Sequence, residues 1–320
     1  MQTNPKLPLV IVNPKSAGGS TQNRWAGVAS DLRVHFGAFQ VAFTKKLGNA
    51  SEIAERAAQA GRKFIIACGG DGTINEVANG ILQSGIENCE LGVFPSGTGG
   101  DFRRTIGMPA EHREAAKALR EGETKLIDVG RITFLNHKDV ETERYFLNVA
   151  SFGLSASINA RVKLNSFFKW LPFGGTIRGK ANFAYSTLQE VLEIDFKQIK
   201  VKIDGNDEKT LRTLNFCVCN ARFFGGGMKI APAAQINDGK FDLVNIGDIK
   251  TARILTNGYK LYNGSHLDLP EVKSTKAETI EVSPVDKKQI INIEADGELP
   301  GRLPAKFEIL PKRLKIRIPK

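Results

Sequence analysis

The sequence predicts an α/β domain built on a parallel sheet, followed by an all-β, sandwich-like domain. Two patterns and the length carry this. Residues 1–125 alternate short apolar runs with helical patterns, whereas residues 126–304 string strand-like runs together with few helices between them. A chain of 320 residues also exceeds what one ordinary core encloses.

In the first part the apolar runs are LPLVIV (7–12), FQVAF (39–43), KFIIAC (63–68) and LGVF (91–94). They are short and rich in β-branched or aromatic residues, as strands are. Helical patterns lie between them at 23–36, 50–60 and 74–84, and another at 111–120 follows Pro109. Strands apolar on both faces and separated by helices predict a parallel sheet covered on both sides. The second part runs LIDVGRITF, RYFLNVASF, QIKVKID, LNFCVCNA, KFDLVNI and AETIEVSP, with helical stretches at 182–193 and 252–262. The boundary falls between Glu121 and Gly130, and residues 305–320 are expected to return to the first domain.

No run of roughly 18 apolar residues is present, so no membrane-spanning helix is expected, and the first residues lack the layout of a signal peptide. Cys68, Cys89, Cys217 and Cys219 make no CxxC or Cys/His cluster and are expected as reduced thiols in a cytoplasmic protein. The net charge of +11, from 45 basic and 34 acidic residues, favours anionic partners. A nucleotide, a nucleic acid or an acidic membrane surface would each satisfy it.

The stretch FIIACGGDGTINEVANGI runs from a buried strand into a glycine-rich loop and then a helix. Paired glycines let backbone approach a phosphate, and a helix start offers free N–H groups. A carboxylate at Asp71 would repel a polyphosphate unless a cation bridged them, which points to Mg²⁺. Taken alone, the loop reads equally well as a turn with Asp71 as a helix cap. Two further loops follow strand ends of the same sheet, VNPKSAGG (12–19) and FPSGTGGDF (94–102). Open α/β folds bind ligands there, and neither GxxxxGKS nor GxGxxG is present.

Together NPKSAGG, GGDGTINEVANGI and PSGTGGDF resemble the diacylglycerol kinase catalytic family, which includes bacterial soluble lipid kinases and sphingosine and ceramide kinases. The resemblance continues through INDGKFDLV (236–244) and EADGELPG (294–301) and so covers nearly the whole chain. It implies two domains with the active site in the cleft between them, ATP and Mg²⁺ as cofactors, and a lipid hydroxyl as acceptor, diacylglycerol first. By the same resemblance Asn13, Pro14, Lys15, Ser16, Ala17 and Thr44 line the nucleotide. Gly69, Gly70, Asp71, Gly72, Thr73, Ile74, Asn75 and Glu76 hold phosphates, and Ser96, Gly97 and Thr98 close the site. Asp71, Asp101 and Asp128 gather around the Mg²⁺ of the nucleotide. The general base lies in the DGE segment, with Glu298 acting and Asp296 in close support. A second, structural Mg²⁺ is implied at Asp238, with the backbone carbonyls of Gln235 and Lys240.

One departure stands out. Many relatives carry Asn-Asp-Phe in the third loop, where this chain has Gly100-Asp101-Phe102, followed by Arg103-Arg104. The segment 161–180 mixes five basic residues with Phe167, Phe168, Trp170 and Phe173, a composition suited to a membrane interface or to packing in a cleft. The expected partners are therefore ATP and a lipid at a membrane surface, without nucleic acid; an edge-strand homodimer is compatible with the sequence. The rival readings are a kinase of a soluble substrate, such as an NAD kinase, and a silent lipid-binding module.

Overall fold

The computed structural model describes residues 6–97, 100–164 and 175–320. The chain divides into two compact units: Met1–Asp128 with Lys312–Lys320, and Val129–Pro311.

The first unit begins with β1 (Leu9–Val12), a single 3₁₀ turn at Ser16–Gly19 and α1 (Ser20–Phe36), then β2 (Gln40–Phe43) and α2 (Asn49–Gln59). It continues through β3 (Phe64–Gly69), α3 (Asp71–Gln83), β4 (Glu90–Pro95), α4 (Asp101–Thr105) and α5 (His112–Glu121). The strands run in the order β2-β1-β3-β4, all parallel, as their apolar composition predicts. β1 and β3 are almost wholly buried, which requires helices on both faces. α2 buries Ala50, Ala54 and Ala58, spaced four apart on one face, and packs that face on α3. The contact is close because α3 presents Gly80: a Cβ there would stand 2.2 Å from the Ser51 carbonyl oxygen.

β5 (Glu123–Asn136) leads out of the first unit and into the second. There follow β6 (Glu141–Phe146), β7 (Val149–Gly153), α6 (Leu154–Leu164), α7 (Gly175–Leu192), β8 (Lys197–Ile203) and β9 (Lys209–Thr213). Then come β10 (Asn215–Cys219), β11 (Phe241–Ile246), α8 (Thr251–Asn257), α9 (Lys260–Asn263), β12 (Val272–Ala277), β13 (Thr279–Pro284), β14 (Asn292–Ala295) and β15 (Glu298–Ile318). Antiparallel pairing gives one wall, β12-β11-β10-β7-β14-β15, and a second of β9-β8-β13-β15. The long β15 belongs to both walls, and its apolar residues alternate: Leu303, Ala305, Phe307 and Ile309 are buried. Between the walls Phe146 stacks on Phe241 at 5.6 Å and Phe152 on Phe216 at 5.2 Å. Each such ring removed from water stabilises the unit by roughly 1.5–3 kcal/mol.

The end of β15 returns to the first unit, pairing Lys315 with Glu90 and Ile316 with Leu91 in parallel register on β4. Arg317 fixes this return: its guanidinium donates to both Glu90 oxygens and to the Leu119 carbonyl, and lies 4.8 Å from the Phe64 ring centroid.

Candidate active site

The parallel register brings the ends of β1, β3 and β4 side by side, Val12 opposite Cys68 and Cys68 opposite Phe94. The chain holds that alignment past the strands. The Asn13 N–H donates to the Cys68 carbonyl, the Ser96 N–H to the Gly69 carbonyl, and the Thr44 N–H to the Val12 carbonyl. Three loops distant in sequence therefore form one rim.

Side chains tie that rim together. Asn13 Nδ2 donates to Thr73 Oγ1 at 3.1 Å, and Asn13 Oδ1 accepts from the Lys15 N–H. Ser16 Oγ lies 2.6 Å from Thr21 Oγ1, which lies 2.7 Å from Ser96 Oγ, a chain of hydroxyls from the first loop to the third. Nothing in the sequence singles out Thr21, because a threonine in the first turn of a helix reads as an ordinary capping residue. The glycines have steric reasons to be there. A Cβ on Gly97 would stand 2.4 Å from the Gly70 Cα, and one on Gly69 would stand 2.5 Å from Thr73 Oγ1. Backbone meets backbone with nothing between.

A cavity of about 210 Å³ opens on this rim, lined by Gly69, Gly70, Ser96, Gly97 and Gly100 and by Arg24, Arg103, Arg104 and His112. Among the described residues three arginines and no carboxylate line it, so it suits an anion. Burial and the adjacent Arg104 push the Arg103 guanidinium pKa down, while Asp71 opposes them. A larger groove of about 640 Å³ in the second unit is lined by strands of both signs of charge. There Arg131 and Lys306 meet Glu308, and Lys200 meets Glu208, which leaves little unbalanced charge.

Several residues expected as ligands have contacts within the protein. α3 starts at Asp71, three residues earlier than the helical pattern indicates, because Asp71-Gly72-Thr73 forms its first turn. Thr73, Ile74 and Asn75 are buried; Thr73 Oγ1 accepts from Asn13 and Ile74 lines the cavity. Glu76, expected beside phosphates, accepts the N–H groups of Gly48 and Ala50 and so locks the loop before α2. Asp71 accepts from the Asp101 and Phe102 N–H groups, both at 3.1 Å, and thereby caps α4 across the loop. Asp101 is paired with Arg104, and the buried Asp128 accepts the Lys312 N–H at 2.8 Å. Among the described residues no three His, Cys, Asp or Glu side chains converge as a metal site. At the expected second cation site Lys276 donates to Asp238 at 2.8 Å and to Asp242 at 2.9 Å. Burial would lower the Lys276 pKa, but its bonds to these carboxylates raise it instead. Lys240 meets Asp238 through its N–H rather than its carbonyl, and no contact of Gln235 with it is seen among the described residues. Thr98 lies outside the described residues, as do Phe167, Phe168, Trp170 and Phe173.

In the second unit, Asp296 and Gly297 form the two-residue turn between β14 and β15, both with positive φ (+48° and +86°). That is the hairpin turn an Asp-Gly pair favours. The Asp296 carboxylate accepts three N–H groups, from Leu147 (2.7 Å), Asn148 (2.9 Å) and Val149 (3.1 Å). It anchors the strand beside the turn. Glu294 accepts the Gly297 N–H, and Asn159 Nδ2 donates to the Gly297 carbonyl, so the turn is gripped from two more sides. Glu298 is the first residue beyond it and is partly exposed.

The chain is similar to known proteins along most of its length. Residues 8–132 match the diacylglycerol kinase catalytic domain, and residues 148–318 match the YegS C-terminal NAD kinase beta sandwich-like domain. A diacylglycerol kinase of Staphylococcus epidermidis (strain RP62A) is 30% identical over 279 residues, covering 87% of this chain and 81% of that protein. One of Staphylococcus carnosus (strain TM300) is 29% identical, covering 87% and 83%. A solved diacylglycerol kinase structure from Bacillus anthracis str. Sterne has a TM-score of 0.69 at 22% identity, covering 98% of this chain and 97% of that one. Yeast NADH kinase complexed with NADH shares the fold at a TM-score of 0.53 and 10% identity, covering 100% and 85%. The chain is thus a kinase whose second unit is of the NAD-kinase sandwich type. It belongs to the diacylglycerol kinase catalytic family.

Proposed function

We propose that this kinase transfers the γ-phosphate of ATP to the hydroxyl of a lipid, diacylglycerol before phosphatidylglycerol or a sphingoid base. The observation that carries the nucleotide end is the rim where Gly97 meets Gly70 beneath a cavity lined by three arginines. Little covalent work falls to the protein in phosphoryl transfer, so positioning and charge neutralisation dominate. The loop N–H groups and the arginines orient the phosphates, and the hydroxyl chain Ser16–Thr21–Ser96 keeps the loops in register.

Mg²⁺ would neutralise phosphate charge and arrive with the nucleotide. Asp71 suits it: the two N–H bonds use two of about four acceptor positions on the carboxylate, leaving capacity for a hydrated cation. Glu298 accepts the proton of the acceptor hydroxyl, while Asp296, committed to three N–H groups, holds the turn that presents it.

The test is incubation with labelled ATP and Mg²⁺ in mixed micelles of diacylglycerol, phosphatidylglycerol or a sphingoid base, with NAD as the soluble control. Labelled lipid is the expected result; labelled NAD with every lipid unlabelled overturns the substrate class. In the same assay Glu298→Gln lowers kcat by about 100-fold or more with an unchanged melting temperature. Full activity in that variant removes Glu298 from the base role.

A further inference from the structure

Among the described residues, α8 and α9 follow one another almost without a break. Gly258 and Tyr259 between them keep right-handed helical angles, so residues 251–263 present continuous helical faces. The inward face carries Ile254 and Leu261, packed on the core beneath β10 and β11. The outward face is apolar too. Leu255, Tyr259 and Tyr262 lie at i, i+4 and i+7, with 55%, 64% and 61% of their surfaces exposed. A surface helix ordinarily turns charged residues outward at that spacing. The neighbouring α7, which packs against α8, repeats the feature with Tyr185, Leu188 and Leu192 at i, i+3 and i+7, each exposed. One such residue needs no explanation, but helical stripes on two packed helices do.

Charge decides what covers them. From Ile249 to Leu267 the chain has no Asp or Glu; it carries Lys250 and Lys260, while Arg253 is paired with Glu271 at 3.2 Å. A second copy of the same surface across a two-fold axis would set these cations against themselves. An anionic bilayer would not. Leucine reaches the acyl boundary, tyrosine rings sit at headgroup level, and lysines meet lipid phosphates.

We infer that the 251–263 helical face, with the exposed stripe of α7 beside it, is the surface by which this kinase docks on an anionic lipid bilayer. The inference rests on the reading that the acceptor is a lipid, and it identifies the elements that meet the membrane.

The experiment is cosedimentation of the full chain with vesicles of phosphatidylcholine alone or mixed equally with phosphatidylglycerol, at low and high salt. Two variants are compared: Leu255→Ser/Tyr259→Ser/Tyr262→Ser and Lys250→Glu/Lys260→Glu. Wild type is expected to bind the mixed vesicles preferentially, and each variant to lose about 10-fold or more in partitioning. Melting temperatures report whether the serine variant folds; if it does not, the charge-reversal variant still reads the surface. Unchanged partitioning of the folded variants overturns the inference, as does equal binding to neutral vesicles. A wild-type dimer that the serine variant dissolves also overturns it, because a second copy then covers the face. Lipid phosphorylation in micelles separates the two claims. Vesicle binding with the expected variant losses but no lipid phosphorylation overturns the acceptor reading and supports the docking surface. Phosphorylation without vesicle binding overturns the docking surface alone.

Discussion

Gly100 has φ of +68°, a backbone conformation that asparagine also adopts, so the asparagine common in this family would fit the loop's path. A Cβ at 100 would stand 3.1 Å from Arg103 Nε, and the Arg103 guanidinium is held by the Met108 carbonyl at 2.7 Å. A side chain at 100 therefore presses on the Arg103 side chain, which couples the two positions. Calorimetric titration with ATP tests this. Gly100→Asn and Arg103→Ala each weaken binding by about 5- to 10-fold, and together they cost less than their sum, with about 1 kcal/mol of coupling. Strict additivity would separate the two residues. The Asp-Gly turn at 296–297 could be read from sequence because its signal is local. The reach of Asp296 to the N–H groups of residues 147–149 could not, because pairing across that separation exists only once β14 lies beside β7. The same holds for Asp71, whose capping of α4 joins two loops that the sequence shows only as separate glycine-rich runs.

At the scale of elements, the parallel sheet was readable because burial on both faces leaves its mark on β1, β3 and β4. Two helices were not. α4 has only five residues, too few for a period to show, and α6 follows β7 with no intervening linker. Gly153 permits that abrupt change with φ of +100°, where a Cβ would lie 2.3 Å from the Leu214 carbonyl oxygen. The approach of the loops after β3 and β4 is the element-scale feature with most bearing on activity. Gly97→Ala forces a methyl against the Gly70 backbone, which no side-chain rotation relieves. It is expected to lower stability by about 1–3 kcal/mol in urea unfolding and to weaken ATP binding more than Ala substitution at Lys15 does. Wild-type binding in Gly97→Ala would show that the two loops need not touch.

Over the whole molecule, stability is expected to depend on pH through a buried imidazole. Burial pushes the His266 pKa below its ordinary value of 6.5, against the Ile230 and Lys260 carbonyls and Asp268, which favour the charged form. The unfolded chain then binds up to about one proton more than the native one between the folded pKa and 6.5. The contribution is complete above 6.5 and is lost as pH falls through the folded value. Melting temperatures from pH 8 to 5 should decline in wild type and decline less in His266→Gln, which keeps an N–H donor for the Ile230 carbonyl. Identical slopes would assign the acid sensitivity to carboxylates. The division of the chain carries a consequence for synthesis. The first unit is completed by residues 312–320, whose strand covers β4, yet all of 129–311 is translated in between. On the ribosome, β4 is therefore an open sheet edge for most of the time the chain is being made. A nascent chain halted before Lys312 presents the Glu90–Phe94 backbone as a template for another strand, and chaperone capture is best sought there.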